Sequence, residues 1–345
     1  MGGMAAGEEA PAPVAALADE ELADEELADE ELAHWVTEVR RAAGPSSREA
    51  GVSALRAASD RRAAARPPGP PLPLVRELQS AAQPEGGTAG LRLRLYRPSV
   101  EPRPLVLYLH GGGFVMGGLA SHDAICRRLA RIADLAVLAV DYRLAPEHPW
   151  PAAVDDAVRA FDWARSRMGE LGGTGEAGIG LAGDSAGGAV ALLAAARLRD
   201  RLTPAAALLL AYPNADMTLS EPSVRAKGHG WGLDANDMRW SVEQWVPDPG
   251  RRADPDVSPV HADLAGLPPA VIATAEHDPL RDEGGTLARR MQAAGVHVLH
   301  TCYPGLVHGF AGLTHVSPSA DRACRDLFAQ FGQLIRAQPR AARRT

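Results

Sequence analysis

The chain has 345 residues, 46% of them apolar, and a formal net charge of −7. This is the composition of a folded globular protein, long enough for one large α/β domain or two smaller ones. The charge is lopsided: residues 1–34 hold 11 acidic residues and no Lys or Arg, so the remainder carries 36 basic against 32 acidic groups, a near-neutral body that gives no electrostatic case for nucleic acid or an anionic membrane.

The opening MGGMAA lacks the hydroxyl residue that a myristoylation signal wants, and no basic start followed by an apolar stretch marks a secretory leader. A soluble cytoplasmic protein is the expectation. Residues 18–32 read ADEEL three times. Five residues advance a helix by about 500°, so Leu22, Leu27 and Leu32 spiral and form no single stripe. Residues 1–33 are therefore expected to be a solvated, disordered acidic tail. An acidic binding arm is the alternative.

From Trp35 the pattern changes. HWVTEVRRAAG predicts a short helix ending at Gly44, and Ser46 with Glu49 forms a capping box for a second, Ala- and Arg-rich helix. PPGPPLP at 67–73 stops it. Residues 34–72 thus form a helical cap segment, and 73–338 the main domain. LVRELQS and GLRLRLYRP predict two strands joined by PEGG. PLVLYLH, LAVLAVDYR, GIGLAG, AAALLLAYP, AVIATAEHD and VHVLHTCYP are further strands, most of them separated by helical stretches. Apolar strands alternating with helices predict an α/β fold, a mostly parallel sheet covered on both faces. Residues 213–253 interrupt the alternation and are expected to add a second piece of the cap. Its Trp231, Trp240 and Met238 either face a pocket or pack the insertion against the body, and packing is the preferred reading. Residues 339–345 form a basic tail. Cys126, Cys302 and Cys324 are too few and too scattered for a disulfide framework or zinc site, and read as buried thiols.

Chemistry concentrates in three places. GDSAGG sets Ser185 between a strand and a helix, with Gly183 and Gly187 two residues to either side. A serine on so sharp a turn needs small neighbours, because larger ones collide across it. A glycine-rich loop with an incidental serine is the bland reading. A serine hydroxyl needs a base to take its proton, and hydrolases of this kind place Ser, acid and His in that chain order. The stretch after AVIATAEH supplies Asp278, with Glu276 and Asp282 as rival acids. His308 follows the last strand, whereas His297 and His300 fall within it. LYLHGGGFVMGG then offers backbone N–H groups of Gly112 and Gly113, with Ala186 after the serine, to stabilise a carbonyl oxyanion. His110 there shapes the loop. No Gly-Lys-Ser/Thr follows the glycines, so a phosphate loop fits poorly. No metal or cofactor is called for.

HGGGFVMGG, DYRLAPEHPWPAAVDDA, GDSAGG, DPLRDEG and HGF occur in this order over roughly residues 70–335. The chain resembles the hormone-sensitive-lipase-like family of α/β-hydrolases, in its bacterial carboxylesterase branch. The resemblance implies an α/β-hydrolase fold with a two-part helical cap, a triad of Ser185, Asp278 and His308, and an oxyanion hole at Gly112, Gly113 and Ala186. It favours Asp278 over Asp282, the acid being the first aspartate of DPLRDEG. It implies a small-molecule ester as substrate, of short to medium acyl chain. Deacetylation, amide hydrolysis or acyl transfer on a metabolite would use the same groups, and a non-catalytic ligand binder on this fold is a further alternative. Arg143, Glu147 and His148 are expected to form one polar network bracing the fold. Asp184 is not expected to be the triad acid.

Overall fold

A computed structural model describes residues 27–42, 44–81, 90–174 and 178–338. The expected PEGG turn, the basic tail 339–345 and residues 1–26 of the acidic tail lie outside these.

Two helices come first, α1 (Glu30–Arg41) and α2 (Ser47–Ala65). The Ser46 hydroxyl accepts from the Glu49 N–H and the Glu49 carboxylate accepts from the Ser46 N–H, the reciprocal capping that the sequence predicts. The last ADEEL repeat departs from the expected tail. Asp29 caps α1 through the Leu32 N–H and also accepts from Ser317 Oγ at 2.6 Å and Ser319 N at 2.8 Å. Ala28 N donates to Gly305 O, and Leu32 is fully buried. The helix therefore begins within the repeat, because partners nearly three hundred residues away supply what a single apolar stripe could not.

Eight strands form one sheet in the order β1-β2-β4-β3-β5-β6-β7-β8: β1 (Leu74–Gln79), β2 (Arg92–Arg97), β3 (Leu105–Leu109), β4 (Ala136–Asp141), β5 (Ile179–Asp184), β6 (Leu208–Ala211), β7 (Ala270–His277) and β8 (Val298–Val307). β1 and β2 pair antiparallel, as do β2 and β4, and all later pairings are parallel. Alternation along each strand sorts side chains to two faces. Leu105, Leu107 and Leu109 join the core that contains α4 (Ala152–Ser166), α5 (Ala186–Leu198) and α8 (Arg281–Ala293). Val106 and Tyr108 join the core made with α3 (Asp123–Ala133) and α9 (Pro318–Arg336). α5 is apolar nearly all round, as befits a helix buried at the centre of the molecule.

Between β6 and β7 the chain adds α6 (Pro222–Ala226) and α7 (Ala235–Trp245). The N-terminal helices rest on this insertion. Ser47 N donates to Asp237, Arg48 pairs with Glu243, and Arg40 Nε donates to Gly230 O. Trp240 joins the core cluster that contains α5, and Trp231 is buried with its ring stacked on His277 at 4.1 Å.

Two expectations need correction. Cys302 is exposed, because β8 is an edge strand with one side open, while Cys126 and Cys324 are buried. Arg143, Glu147 and His148 do not form one network. Arg143 holds the buried Asp156 through two side-chain hydrogen bonds, at 2.9 and 3.0 Å, and its own N–H at 3.0 Å, whereas Glu147 reaches across to Arg56 of α2. Among the described residues the His148 side chain hydrogen-bonds to neither. No helix of the described residues is long and apolar enough to cross a membrane.

Candidate active site

The carboxyl ends of β3, β5, β7 and β8 meet at one edge of the sheet, the usual place for a site in an open parallel fold. β5 ends in Asp184 and α5 begins at Ala186, so Ser185 alone makes the turn. Its φ of 53° and ψ of −124° lie outside the regions an ordinary residue prefers. Such a conformation costs on the order of 1–3 kcal/mol and persists because neighbours over-determine it. Ser185 N donates to Ala211 O, and Ser185 O accepts from Gly188 N and Asn214 N. The flanking glycines are required by contact. A Cβ on Gly183 would lie 2.2 Å from Gly187 O, and one on Gly187 would lie 2.1 Å from Leu109 O.

The three residues expected to act together lie in one hydrogen-bonded line. Ser185 Oγ is 3.0 Å from His308 Nε2, and His308 Nδ1 is 2.8 Å from Asp278 Oδ2. Asp278 is fully buried, and its other oxygen accepts from Leu280 N at 2.7 Å. Tyr212 meets the His308 ring edge-on, with centroids 4.9 Å apart. The rival residues are elsewhere. Asp282 accepts from Ser223 N and pairs with Arg281, and Glu276 accepts from Gly305 N. His300, on β8, lies beside Thr274 of β7, and His297 precedes β8.

The glycine loop after β3 closes over the serine. Gly112 and Gly113 have φ of 125° and 60°, conformations open to glycine, and Gly112 O accepts from Val115 and Met116 N–H groups. Among the described residues, the N–H groups of Gly112, Gly113 and Ala186 donate to none. His110 is buried, stacked on Tyr142 at 4.2 Å, with Nδ1 2.9 Å from Gly111 O. Burial, and after it His122, hold its imidazole down at about 3, so it is neutral.

Sequence reasoning missed what Asp184 does. This buried carboxylate accepts from Tyr108 Oη at 2.7 Å and Gly111 N at 2.9 Å, and faces His122 Nε2 at 3.3 Å. Burial alone would raise its pKa. The His122 charge and these hydrogen bonds overcome burial and hold it at about 2. Asp184 thereby ties the glycine loop to the serine turn. The sequence signal was its place next to Ser185, although nothing there named Gly111 or His122 as partners. Among the described residues no group of three or more His, Cys, Asp or Glu side chains could hold a metal ion.

A cavity of about 520 Å³ opens over Ser185. Its walls come from α1 and α2 (Trp35, Leu55), the glycine loop (Met116) and α7 (Met238, Val242). Of the three insertion residues in question, Met238 lines this cavity, while Trp231 and Trp240 pack away from it.

A family model described as alpha/beta hydrolase fold matches residues 106–312. The chain is 40% identical over 253 residues to the carboxylic ester hydrolase LipN of Mycobacterium tuberculosis, covering 70% of this chain and 67% of that protein. It is 39% identical to the ethyl acetate hydrolase of Pseudomonas putida, covering 67% of this chain and 74% of that one. The crystal structure of EstE1, a thermostable carboxylesterase cloned from a metagenomic library, superposes with a TM-score of 0.78 at 36% identity, covering 84% of this chain and 99% of EstE1. Eight mostly parallel strands, a serine on the turn after β5 and relatives of this kind lead to one assignment: the chain belongs to the hormone-sensitive-lipase-like family of α/β-hydrolases.

Proposed function

We propose that the protein is a serine carboxylesterase acting on small-molecule esters of short to medium acyl chain. The observation that carries this reading is the line from Ser185 Oγ through His308 to Asp278, at 3.0 and 2.8 Å. Ser185 Oγ attacks the ester carbonyl while His308 Nε2 takes its proton. Asp278 keeps the imidazole in the tautomer that presents Nε2 to the serine and stabilises the imidazolium. The N–H groups of Gly112, Gly113 and Ala186 hold the oxyanion. His308 then protonates the departing alcohol, and a water activated by His308 releases the acid.

The relatives' names support the substrate class, since they include an ethyl acetate hydrolase and acetyl esterases. The cavity supports the chain length, being bounded by α1, α2 and the α7 insertion acting together as a two-part cap. A series of nitrophenyl esters from acetate to palmitate tests both points. The optimum is expected at octanoate or below, with Ser185→Ala losing about 10⁴-fold or more in kcat. A palmitate optimum overturns the chain length, and retained turnover by the variant overturns the mechanism.

A further inference from the structure

One pair of charges in the active-site cavity is left over by this chemistry. Arg62 on α2 and Arg66, the extended residue that caps its C-terminal end, both line the cavity that holds Ser185. The two like charges repel. Other arginines of the same helix have carboxylate partners: Arg48 pairs with Glu243 and Arg56 with Glu147. Among the described residues neither Arg62 nor Arg66 has one. Among the described residues the Arg66 side chain makes one hydrogen bond, to Ser121 O at 3.3 Å, and its guanidinium packs against Gly312. Arg62 is exposed by surface area, yet partial desolvation of its guanidinium, and then the Arg66 and Arg61 charges, press it below its usual range.

The acids on the same walls do not neutralise the pair, because each is engaged elsewhere. Asp184 is held by Tyr108, Gly111 and His122; Asp234 caps α7 and meets His229; Asp237 accepts from Ser47 N. Ser121 and Gly312 flank the glycine loop and the His308 loop respectively, so Arg66 reaches the cavity between the two loops that meet at Ser185. Two forked donors without carboxylate partners match a planar carboxylate. A dianionic phosphate would fit less well in a cavity that Asp184, Asp234 and Asp237 also line.

We infer that the substrate is an ester that also bears a carboxylate, which Arg62 and Arg66 hold while the ester carbonyl lies at Ser185. This rests on the esterase reading of the site. The test compares phenol release from two matched pairs: phenyl hydrogen succinate against its methyl ester, with the anion on the acyl side, and 4-acetoxybenzoate against its methyl ester, with the anion on the alcohol side. In at least one pair the anion is expected to be favoured on the order of tenfold in kcat/KM. The ratio should fall to about one in the double variant Arg62→Gln/Arg66→Gln and persist in Arg61→Gln, a neighbour on the same helix that does not line the cavity. The wild-type preference should also weaken severalfold between about 0.05 and 0.5 M NaCl, a readout that does not depend on the variant folding. Equal turnover of both members of both pairs, a preference that survives the double variant, or one indifferent to salt overturns the inference. Wild-type enzyme that hydrolyses neither neutral nor charged ester overturns the esterase reading itself.

Discussion

Asp184→Asn keeps the size of a buried side chain and removes its charge. The carboxylate accepts two short hydrogen bonds, from Tyr108 and Gly111, and faces His122. It is held at about 2 against an ordinary value of 3.8, a difference worth about 2 kcal/mol at neutral pH. Because the folded-state value is depressed, that stability is complete above about pH 5, roughly halved near pH 3, and gone once the carboxyl is protonated in both states. The asparagine variant lacks it throughout. Urea denaturation should therefore find the variant about 2 kcal/mol less stable at neutral pH, with the deficit narrowing by about 1 kcal/mol at about pH 3. The amide oxygen can still accept from Tyr108 and Gly111, but an NH2 replaces the oxygen that faces His122, so the weakened support of the glycine loop should lower kcat more than it changes KM. A deficit that does not change with pH would refute the charge as its source.

Glu283 makes the opposite case. It is fully buried, one oxygen accepts from Asn214 Nδ2, Ala215 N and Asp216 N, and burial pushes its carboxyl well above the usual range. The stability it lends is complete below its ordinary value of 4.5 and declines as pH rises, so Glu283→Gln should gain on wild type in melts at alkaline pH relative to acid pH; a constant difference contradicts this. Gly187→Ala sets a methyl 2.1 Å from Leu109 O and 2.5 Å from His110 O, both backbone atoms that cannot swing aside. It should cost more than about 4 kcal/mol, and a soluble variant with the wild-type Tm would show that the turn tolerates a side chain.

The serine turn was legible because its constraint is local. Gly183 and Gly187 meet each other across the turn, two residues to either side of Ser185, and small residues at those offsets betray it. The parallel sheet was legible from strands that are apolar on both faces, such as Leu105–Leu109. The rest depends on contacts that sequence order hides. The repeat predicted no docking face, yet Ala28 is held by Gly305, Asp29 by Ser317 and Ser319, and Leu32 is buried in the core with α3 and α9. Cys302 looked like a core thiol because strand pattern alone does not reveal which strand forms the edge. Arg62 and Arg66 stood in an Ala- and Arg-rich stretch whose composition says nothing of which arginines find carboxylates. Asp184 drew notice as a charge, but its partners come from the ends of two other elements.

The central claim is that Ser185 is made nucleophilic by His308 and Asp278. Intact-protein mass spectrometry after treatment with a fluorophosphonate tests it most directly. The account predicts one adduct per chain, mapped to Ser185, forming at least about a thousandfold more slowly in His308→Ala. Labelling at another residue, or at Ser185 with equal speed in the His308 variant, would contradict it.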